Sequence, residues 1–279
     1  MFCVIFRRFC QKTCPATRYM IHLTIFPAYL VSAARRGRKI FLERGALVRK
    51  RCVVCMKTFK LHLIRHGLTA GNLEGRYIGG GTDLPLCDEG RAQLAELQAR
   101  FTYPEVDTVF SSPMLRAVET ANILFPGAAH QFTVHDLREA HFGVFENRPV
   151  KELVKDPDFS RWITPGSGFT PEGAEPTADF HRRCGESLLK LFEYMIRMDV
   201  TEAACVTHGG VIVSMLSQHA LPSRRPEQWM ADPGCGYTVQ TDVQLWMRDR
   251  MVEAIDIVPY GYADTLRGQA ETEENESYR

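Results

Sequence analysis

Residues 58–67 read TFKLHLIRHG, and this stretch decides the fold. Apolar and polar side chains alternate from Thr58 to Ile64, which predicts a β-strand. The glycines that follow, Gly67 and then Gly79 to Gly81, interrupt the pattern and predict a loop. The strand is therefore expected to place Arg65 and His66 at its carboxyl end.

The same arrangement occurs a second time, near residue 203. Ala203 to Thr207 form a short apolar run that predicts a strand, and His208-Gly209-Gly210 follows it at the start of a predicted helix. The carboxyl ends of parallel strands face one crevice. We therefore expect His66 and His208 to converge there with Arg65, although they are remote in sequence.

Strands and helices alternate along the rest of the chain. Helices are predicted over residues 88–101, after Ser112, and over residues 177–199, with Asp88, Ser112 and Thr177 as their caps. Further strands are predicted over residues 106–111, 132–136, 237–244 and 252–258. The alternation predicts an α/β protein, a three-layer α/β/α arrangement with a mostly parallel central sheet.

Composition divides the chain into three parts. Residues 1–55 contain 12 of the 34 Lys and Arg residues and one of the 33 acidic residues, which predicts a basic extension outside the fold, with Met56 as the natural start. Residues 56–262 form the predicted domain, and residues 263–279 form a predicted acidic, disordered tail. The domain is mildly acidic, which argues against a nucleic-acid surface. Within it, residues 151–176 are rich in Pro, Gly and Asp and predict a loosely ordered insertion over the site.

The cysteines and the apolar segments indicate the cellular compartment. Four scattered cysteines beyond residue 55 do not form a disulfide framework, so we expect a reducing, cytoplasmic location. No segment reaches the roughly 18 to 20 apolar residues of a membrane span. The nearest, residues 19–34, is interrupted by polar residues and is a weak candidate for targeting. Cys52 and Cys55 have no second pair for a zinc site, and we expect neither metal nor cofactor.

Two imidazoles beside a guanidinium suit a phosphoryl group. Arg65 and Arg116 can each present planar donors to phosphate oxygens. A neutral His66 can attack phosphorus, since its ordinary pKa is about 6.5. Glu139, after the strand predicted over residues 132–136, can protonate the leaving oxygen, and His208 can stabilise the transferred group. Taken singly, each of these residues has an ordinary structural interpretation, so their joint order carries the prediction.

Four stretches occur in an order that resembles the histidine phosphatase superfamily, specifically its phosphoglycerate mutase-like branch. They are LIRHGLTAGNLEGRYIGGGTDLPL (63–86), SSPMLRAVETA (111–121), LREAHFGVFEN (137–147) and VTHGG (206–210). The resemblance covers about residues 58–260. It implies a phosphatase that works through a phosphohistidine intermediate without a metal.

The resemblance assigns roles residue by residue. It implies His66 as the phosphorylated nucleophile and Glu139 as proton donor and acceptor. The phosphate pocket that it implies contains Arg65, Asn72, Arg116 and His208. The substrate-facing loop that it matches more loosely contains Arg76 and Gly79, and Gly209 is a further expected substrate-binding residue. The chain is most similar to the small phosphatases of the branch, which include α-ribazole phosphatase. Phe145 and Asn147 depart from the pattern of that group, where Trp and Gly stand.

Two alternatives to a phosphatase stay open at this point. A phosphoglycerate mutase would use the same site, but mutases of the family have more basic residues after the acid, where this chain has chiefly Arg148. A catalytically inactive protein that binds a phosphorylated ligand would not need His66, Arg116, Glu139 and His208 together. We therefore predict hydrolysis of a small phosphorylated metabolite, with α-ribazole 5′-phosphate as one candidate. No nucleic-acid or membrane partner is predicted, and a homodimer stays open.

Overall fold

The TFKLHLIR stretch forms the central strand, β1 (Thr58–Arg65), of a seven-stranded sheet in the order β4-β3-β6-β1-β8-β9-β7. The computed structural model describes residues 57–164 and 166–263. Within these residues the remaining strands are β2 (Arg76–Tyr77), β3 (Thr108–Ser111), β4 (His130–Thr133), β5 (Arg148–Pro149), β6 (Glu202–Thr207), β7 (Ala220–Leu221), β8 (Gly236–Asp242) and β9 (Val252–Val258). Strands β2 and β5 form a separate antiparallel pair.

Eight helices are present in the same described residues. They are α1 (Ala70–Leu73), α2 (Asp88–Arg100), α3 (Leu115–Leu124), α4 (Val150–Leu153), α5 (Pro157–Ile163), α6 (Thr177–Met198), α7 (Gly209–His219) and α8 (Val243–Asp249). Three short 3₁₀ turns, at His135–Leu137, Gly143–Phe145 and Pro226–Trp229, complete the regular structure of this part of the chain.

The sheet is mostly parallel. Strands β4, β3, β6 and β1 run in one direction, and so do β9 and β7, whereas β8 is antiparallel to both of its neighbours. Arg65 pairs with Thr207, and Ser111 pairs with Thr133, so the four adjacent parallel strands end at one edge. The predicted α/β fold with a mostly parallel sheet is confirmed.

The alternation of side chains in the central strands separates two hydrophobic cores. Leu61 and Leu63 pack with apolar residues of α6 and α7 on one face. Ile64 packs on the other face with Leu94 of α2 and Ala117 of α3. Each large apolar side chain buried in this way contributes about 1.5 to 3 kcal/mol. The two cores hold β1 rigidly, and with it the residues at its end.

The predicted helix caps are wrong by one or two residues. Helix α2 is capped by Cys87, whose sulfur accepts a hydrogen bond from the Gly90 amide, and Asp88 is the first helical residue. Thr177 likewise lies inside α6, after Pro176. Helix α3 begins only at Leu115, so Ser112 does not cap it. The short strand β7 and the antiparallel direction of β8 were not predicted.

Residues 151–176 were predicted to be loosely ordered, and the structure corrects this. They include α4 and α5, which bury Leu153 completely and Phe159 almost completely. Phe159 and Trp162 pack edge to face with Tyr77, whose ring stacks on Phe142 at 4.2 Å between centroids. Aromatic packing supplies the order that the Pro and Gly content concealed.

Several predictions fall outside the described residues. They concern the basic extension over residues 1–55, with its segment 19–34 and the Cys52 and Cys55 pair, and the acidic tail beyond residue 263. The domain boundaries therefore stay predictions. Across residues 57–164 and 166–263, no helix combines the length and the apolar character needed to cross a membrane.

Candidate active site

Three adjacent parallel strands place the first residues of the site. His66 follows β1, His208 follows β6 and Ser112 follows β3. The His66 amide donates to the Thr207 carbonyl at 2.9 Å, which extends the pairing of β1 and β6 by one residue. The imidazole rings of His66 and His208 consequently lie 5.1 Å apart between centroids.

The hydrogen bonds of His66 determine its tautomer. Its Nδ1 lies 2.7 Å from the Gly67 carbonyl, which can only accept, so Nδ1 carries the proton. Its Nε2 accepts a hydrogen bond from Arg116 Nε at 3.2 Å, so Nε2 is unprotonated. Burial lowers the pKa of His66 well below its ordinary value, and the Arg116 guanidinium adds to this effect. The ring is therefore a neutral imidazole near pH 7, with its unprotonated nitrogen at Nε2.

The loop after β2 fixes the Arg116 side chain, which is 1% exposed. Its Nη1 donates to the Thr82 carbonyl at 2.9 Å and its Nη2 donates to the Gly79 carbonyl at 3.1 Å. Burial lowers the pKa of Arg116, but arginine keeps its proton throughout the physiological range. The structure thus brings Arg116 and the Gly79 carbonyl to the side of His66.

His208 and Arg65 both have a ring or guanidinium nitrogen without a protein partner. His208 Nε2 lies 2.8 Å from Ser112 Oγ, and Arg65 Nη1 donates to the Ala231 carbonyl at 2.8 Å. Among the described residues, four buried side-chain polar atoms have no hydrogen-bond partner, and two of them are His208 Nδ1 and Arg65 Nε. Burial lowers the pKa of His208 well below its ordinary value, so its ring is neutral. Two unsatisfied nitrogens beside His66 form a site that an anion with several oxygens would complete.

Glu139 lies beside the start of α7. Its carboxylate accepts from the Ala140 amide and from the Gly210 amide, both at 3.0 Å. Burial raises the pKa of Glu139, and this outweighs the opposing effects of the two amide bonds, of Arg116 and of Arg183. The shift favours the protonated form, which can donate to a leaving oxygen.

The predicted substrate residues divide into two groups. Gly79 contacts Arg116 through its carbonyl, and Gly209 lies so close to Arg65 that an added Cβ would be 3.6 Å from Arg65 Nε. Asn72 instead caps α1, where its Oδ1 accepts from the Thr69 amide at 3.1 Å. Arg76 bonds to Glu74 and to the Asn147 carbonyl. The described contacts of Asn72 are thus local, and those of Arg76 join it to Glu74 and to the segment before β5.

Four residues at the site were not assigned a role there from the sequence. They are Ser112, Thr120, Glu146 and Arg183. Thr120 Oγ1 accepts from the Gly67 amide at 2.9 Å, and Glu146 accepts from the Gly79 amide at 2.7 Å. Thr120 lies four residues after Arg116 on α3, and that spacing was the available signal. The others have no local pattern that distinguishes them from ordinary surface or cap residues.

The part of the chain that the structure describes contains no group of three or more His, Cys, Asp or Glu arranged to hold a metal ion. The positive charges of the pocket are instead those of Arg65 and Arg116. Guanidinium groups bind phosphate oxygens through planar pairs of donors. Arg65 and Arg116 therefore present donors of the kind that suits a phosphoryl group.

The fold and the site together define the class: an α/β protein whose parallel strands end in a buried pocket of histidine and arginine suited to phosphoryl transfer. The chain belongs to the histidine phosphatase superfamily (branch 1), whose model matches residues 61–252. It is an enzyme of the phosphatase class. The predicted family and the predicted enzyme class are both confirmed.

Curated relatives include phosphatases of two kinds. An adenosylcobalamin/alpha-ribazole phosphatase of Salmonella typhimurium is 26% identical over 180 residues, which cover 63% of this chain and 87% of that protein. The fructose-2,6-bisphosphatase TIGAR B of Danio rerio is 32% identical over 146 residues, 50% of this chain and 56% of the relative. The two relatives differ in substrate by name.

Solved structures show the same fold at low identity. The alpha-ribazole phosphatase from Shigella flexneri matches with a TM-score of 0.58 and 24% identity over 72% of this chain and 96% of that one. A phosphoglycerate mutase from Bacillus anthracis matches with a TM-score of 0.56 and 20% identity over 72% and 93%. Phosphatases and mutases share this architecture, so the fold does not separate the two reactions.

Proposed function

We propose that the protein hydrolyses phosphate monoesters of small metabolites through a phosphohistidine formed on His66. One observation carries the proposal: the unprotonated Nε2 of His66 faces the Arg116 guanidinium at 3.2 Å, with the His208 ring 5.1 Å away between centroids. A nucleophile and the groups that neutralise a phosphoryl oxygen thus lie in one buried space. Such positioning and charge stabilisation are the main contributions of a protein to phosphoryl transfer.

Arg65, Arg116 and His208 bind the phosphoryl oxygens in this proposal. Arg65 Nε and His208 Nδ1 have no acceptor in the part of the chain that the structure describes, so each can donate to an oxygen without breaking a bond seen there. When the Ser112 hydroxyl donates to His208 Nε2, the neutral ring carries its proton on Nδ1, where it can be donated to the phosphoryl group. Ser112 thus supports the donor role of His208.

In the first step, His66 Nε2 attacks phosphorus and the bond from phosphorus to the ester oxygen breaks. Glu139 in its acid form donates a proton to the departing oxygen, so the product leaves as an alcohol. The His66 ring gains a positive charge, which the bond from Nδ1 to the Gly67 carbonyl stabilises. The enzyme then holds a phosphohistidine and an ionised Glu139.

In the second step, a water molecule attacks phosphorus from the side that the alcohol left. Glu139 takes the proton of the water, the phosphorus–nitrogen bond breaks and inorganic phosphate is released. Glu139 is again protonated and His66 is again neutral, so the cycle closes. The backbone amides of Ala140 and Gly210, at 3.0 Å from the carboxylate oxygens, hold Glu139 for both steps.

We propose a substrate with one phosphoryl group, and α-ribazole 5′-phosphate is the first candidate because the Salmonella relative is named for it. A bisphosphate would need a second cluster of free cations. Two basic residues of the β2–β5 pair are engaged: Arg148 pairs with Asp156 at 3.1 Å, and Arg76 pairs with Glu74. This pairing favours a phosphatase over a mutase that uses a bisphosphorylated cofactor.

The remaining proposals concern cofactor and location. We propose that the reaction needs no metal, since the arginines supply the charge. We also propose a cytoplasmic location. The four cysteines of the described residues, Cys87, Cys184, Cys205 and Cys235, are all free thiols, and the last three are buried. Free buried thiols suit a reducing compartment.

The test combines turnover with trapping of the intermediate. The enzyme is expected to hydrolyse p-nitrophenyl phosphate and, after rapid quenching in base, to retain one phosphoryl group on His66 by mass spectrometry. His66→Ala should lose both signals, while His135→Ala, a change at an exposed histidine, should keep them. Turnover by His66→Ala near the wild-type rate would refute the assigned nucleophile.

A substrate panel distinguishes the two reactions. It contains α-ribazole 5′-phosphate, fructose 2,6-bisphosphate and 3-phosphoglycerate with and without 2,3-bisphosphoglycerate. Release of inorganic phosphate from a monophosphate is the expected result. Conversion of 3-phosphoglycerate to its isomer without release of phosphate would establish a mutase instead.

A further inference from the structure

We propose that Arg183, on α6, is a positioning residue that fixes the backbone carrying Glu139 and so aims its carboxyl group at the ester oxygen. The proposal rests on the acid role of Glu139 given above. Arg183 is remote from Glu139 in sequence and touches neither His66 nor the phosphate ligands by any described hydrogen bond. Its action on the reaction is therefore exerted through Glu139.

The guanidinium of Arg183 donates all five of its N–H groups to the Glu139 segment and to Glu175. Nη1 donates to the carbonyls of Asp136 at 2.8 Å and Arg138 at 2.7 Å, and Nη2 donates to the carbonyl of Glu139 at 3.1 Å. The other two donors form a bidentate pair with Glu175, from Nε at 2.6 Å and from Nη2 at 2.8 Å. Arginine has five such protons in a rigid planar fork, so the arrangement is saturated.

These bonds belong to a continuous set that holds the backbone from residue 136 to residue 141. The Leu137 carbonyl accepts from Thr207 Oγ1 at 2.8 Å. The Ala140 carbonyl accepts from the Gly80 amide at 2.7 Å, and the His141 carbonyl accepts from the Glu175 amide at 2.9 Å. Residues 138–141 lie in neither a helix nor a strand. Without secondary structure to impose its shape, this segment depends on these outside donors for its conformation.

Burial makes the pair of Arg183 and Glu175 rigid. Their side chains are 14% and 20% exposed, and the guanidinium carbon lies 4.9 Å from the centre of the Phe180 ring. A charged group removed from water needs a partner and satisfied donors, and both are present here. Besides its ion pair with Glu175, Arg183 donates three hydrogen bonds to backbone carbonyls. It joins α6, the Glu175 segment and the Glu139 segment into one unit.

Arg183 also acts on the charge of Glu139. The titratable groups that interact with Glu139 are Arg116 from α3, Arg65 from β1, Tyr77 from β2, and both Arg183 and Cys184 from α6. Arg116 and Arg183 both oppose the rise in the pKa of Glu139 that burial causes. Removing the Arg183 charge should therefore raise that pKa further, which gives the proposal a second readout besides rate.

The experiment compares two esters in four variants of the full chain. The esters are β-glycerol phosphate, whose leaving oxygen needs a proton, and p-nitrophenyl phosphate, whose leaving group does not. The variants are Arg183→Met, Arg183→Lys, Glu175→Gln and the control Arg182→Met. Arg182 is the neighbouring residue, 62% exposed, and among residues 57–164 and 166–263 its ion pairs are with Asp179 and Glu186 of its own helix. Values of kcat/KM are measured against pH, and thermal melting reports folding.

Arg183→Met should lower kcat/KM for β-glycerol phosphate by about 100-fold, because a misplacement of roughly 1 Å at a reacting group has an effect of that size. The value of kcat/KM for p-nitrophenyl phosphate should change less than about threefold. In the same variant, the fall of kcat/KM for β-glycerol phosphate at high pH should move to higher pH. Arg183→Lys keeps the charge but loses the planar fork, so it should show the ester-selective loss without the shift of the limb. Glu175→Gln should reproduce a weaker selective loss, and Arg182→Met should match the wild type.

Equal losses for both esters, or a basic limb that stays in place in Arg183→Met, would overturn the proposal. If Arg183→Met does not fold, Arg183→Lys and Glu175→Gln decide the matter by the ratio of the two esters. These outcomes are separate from failure of the proposed function, which would appear as a wild-type enzyme that hydrolyses neither ester.

Discussion

Replacing Gly210 by Ala should disable the enzyme without unfolding it, because the new methyl group would displace Glu139. Gly210 is the second residue of α7, and a Cβ built there lies 2.5 Å from Glu139 Oε1 and 3.1 Å from its other carboxyl atoms. Ordinary van der Waals contact begins at 3.4 Å, so the carboxyl group must move by about 0.9 Å. The same movement breaks the bond from the Gly210 amide to Glu139 Oε2.

The expected loss follows from that displacement. A misplacement of roughly 1 Å at a reacting group costs on the order of 100-fold in rate, equivalent to about 2.7 kcal/mol of transition-state stabilisation. The free energy of unfolding should rise slightly or stay unchanged. Alanine is favoured over glycine inside a helix by up to about 1 kcal/mol. We therefore expect kcat/KM for a poor leaving group to fall about 100-fold while the melting temperature holds or rises.

A double-mutant cycle checks that the effect passes through Glu139. In a Glu139→Ala background, the carboxyl group is absent and adding Gly210→Ala should change kcat/KM less than about twofold. Gly127→Ala is the matched control, since no atom lies within 4 Å of its added Cβ. A loss of 100-fold that persists in the Glu139→Ala background would refute the reasoning, because no clash with Glu139 could then explain it.

Three further predictions follow from the site and the chain. Burial raises the pKa of Glu139, and proton donation needs its acid form. The value of kcat/KM for β-glycerol phosphate should therefore fall as pH rises, in a limb above the ordinary pKa of about 4.3. Glu139→Gln should remove that limb. A limb unchanged in Glu139→Gln would assign it to another group. EDTA should leave hydrolysis unchanged, and activity lost with EDTA and restored by a divalent cation would contradict the metal-free proposal. A chain that begins at Met56 should melt cooperatively and hydrolyse p-nitrophenyl phosphate at the full-length rate, and an unfolded product would contradict the proposed domain boundary.

The sequence predicted the parts of the site that depend on strand direction. Arg65 and His66 end a strand with clear alternation, and His208 ends another, so a parallel sheet must bring them to one edge. Arg116 and Glu139 were proposed from chemistry and from the resemblance to a family, since their own surroundings in sequence resemble an ordinary helix and an ordinary loop. Asn147 explains one departure from the family pattern: its φ of 58° is a value that Asn tolerates where the family has Gly.

What could not be predicted depends on contacts between segments that are distant in sequence. Arg183 follows His181 and Arg182 on a long helix, and nothing local distinguishes the buried guanidinium from its exposed neighbour. Ser112 had the pattern of a helix cap, but its hydroxyl lies beside His208, 96 residues away. The order of residues 151–176 depends on Phe159 and Trp162 packing against Tyr77. In each case tertiary packing overrides the local signal.

Burial favours the uncharged form of each of the three titratable groups that the proposed reaction uses. It lowers the pKa of His66 and of His208 and raises that of Glu139, and each shift favours the uncharged form. Arg65 and Arg116 cannot respond in this way, because a guanidinium keeps its proton even when buried. The positive charge of the pocket is therefore concentrated on the two groups that bind phosphate oxygens. For His66, His208 and Glu139 the shifts favour the neutral forms that attack, hydrogen bonding and proton donation require.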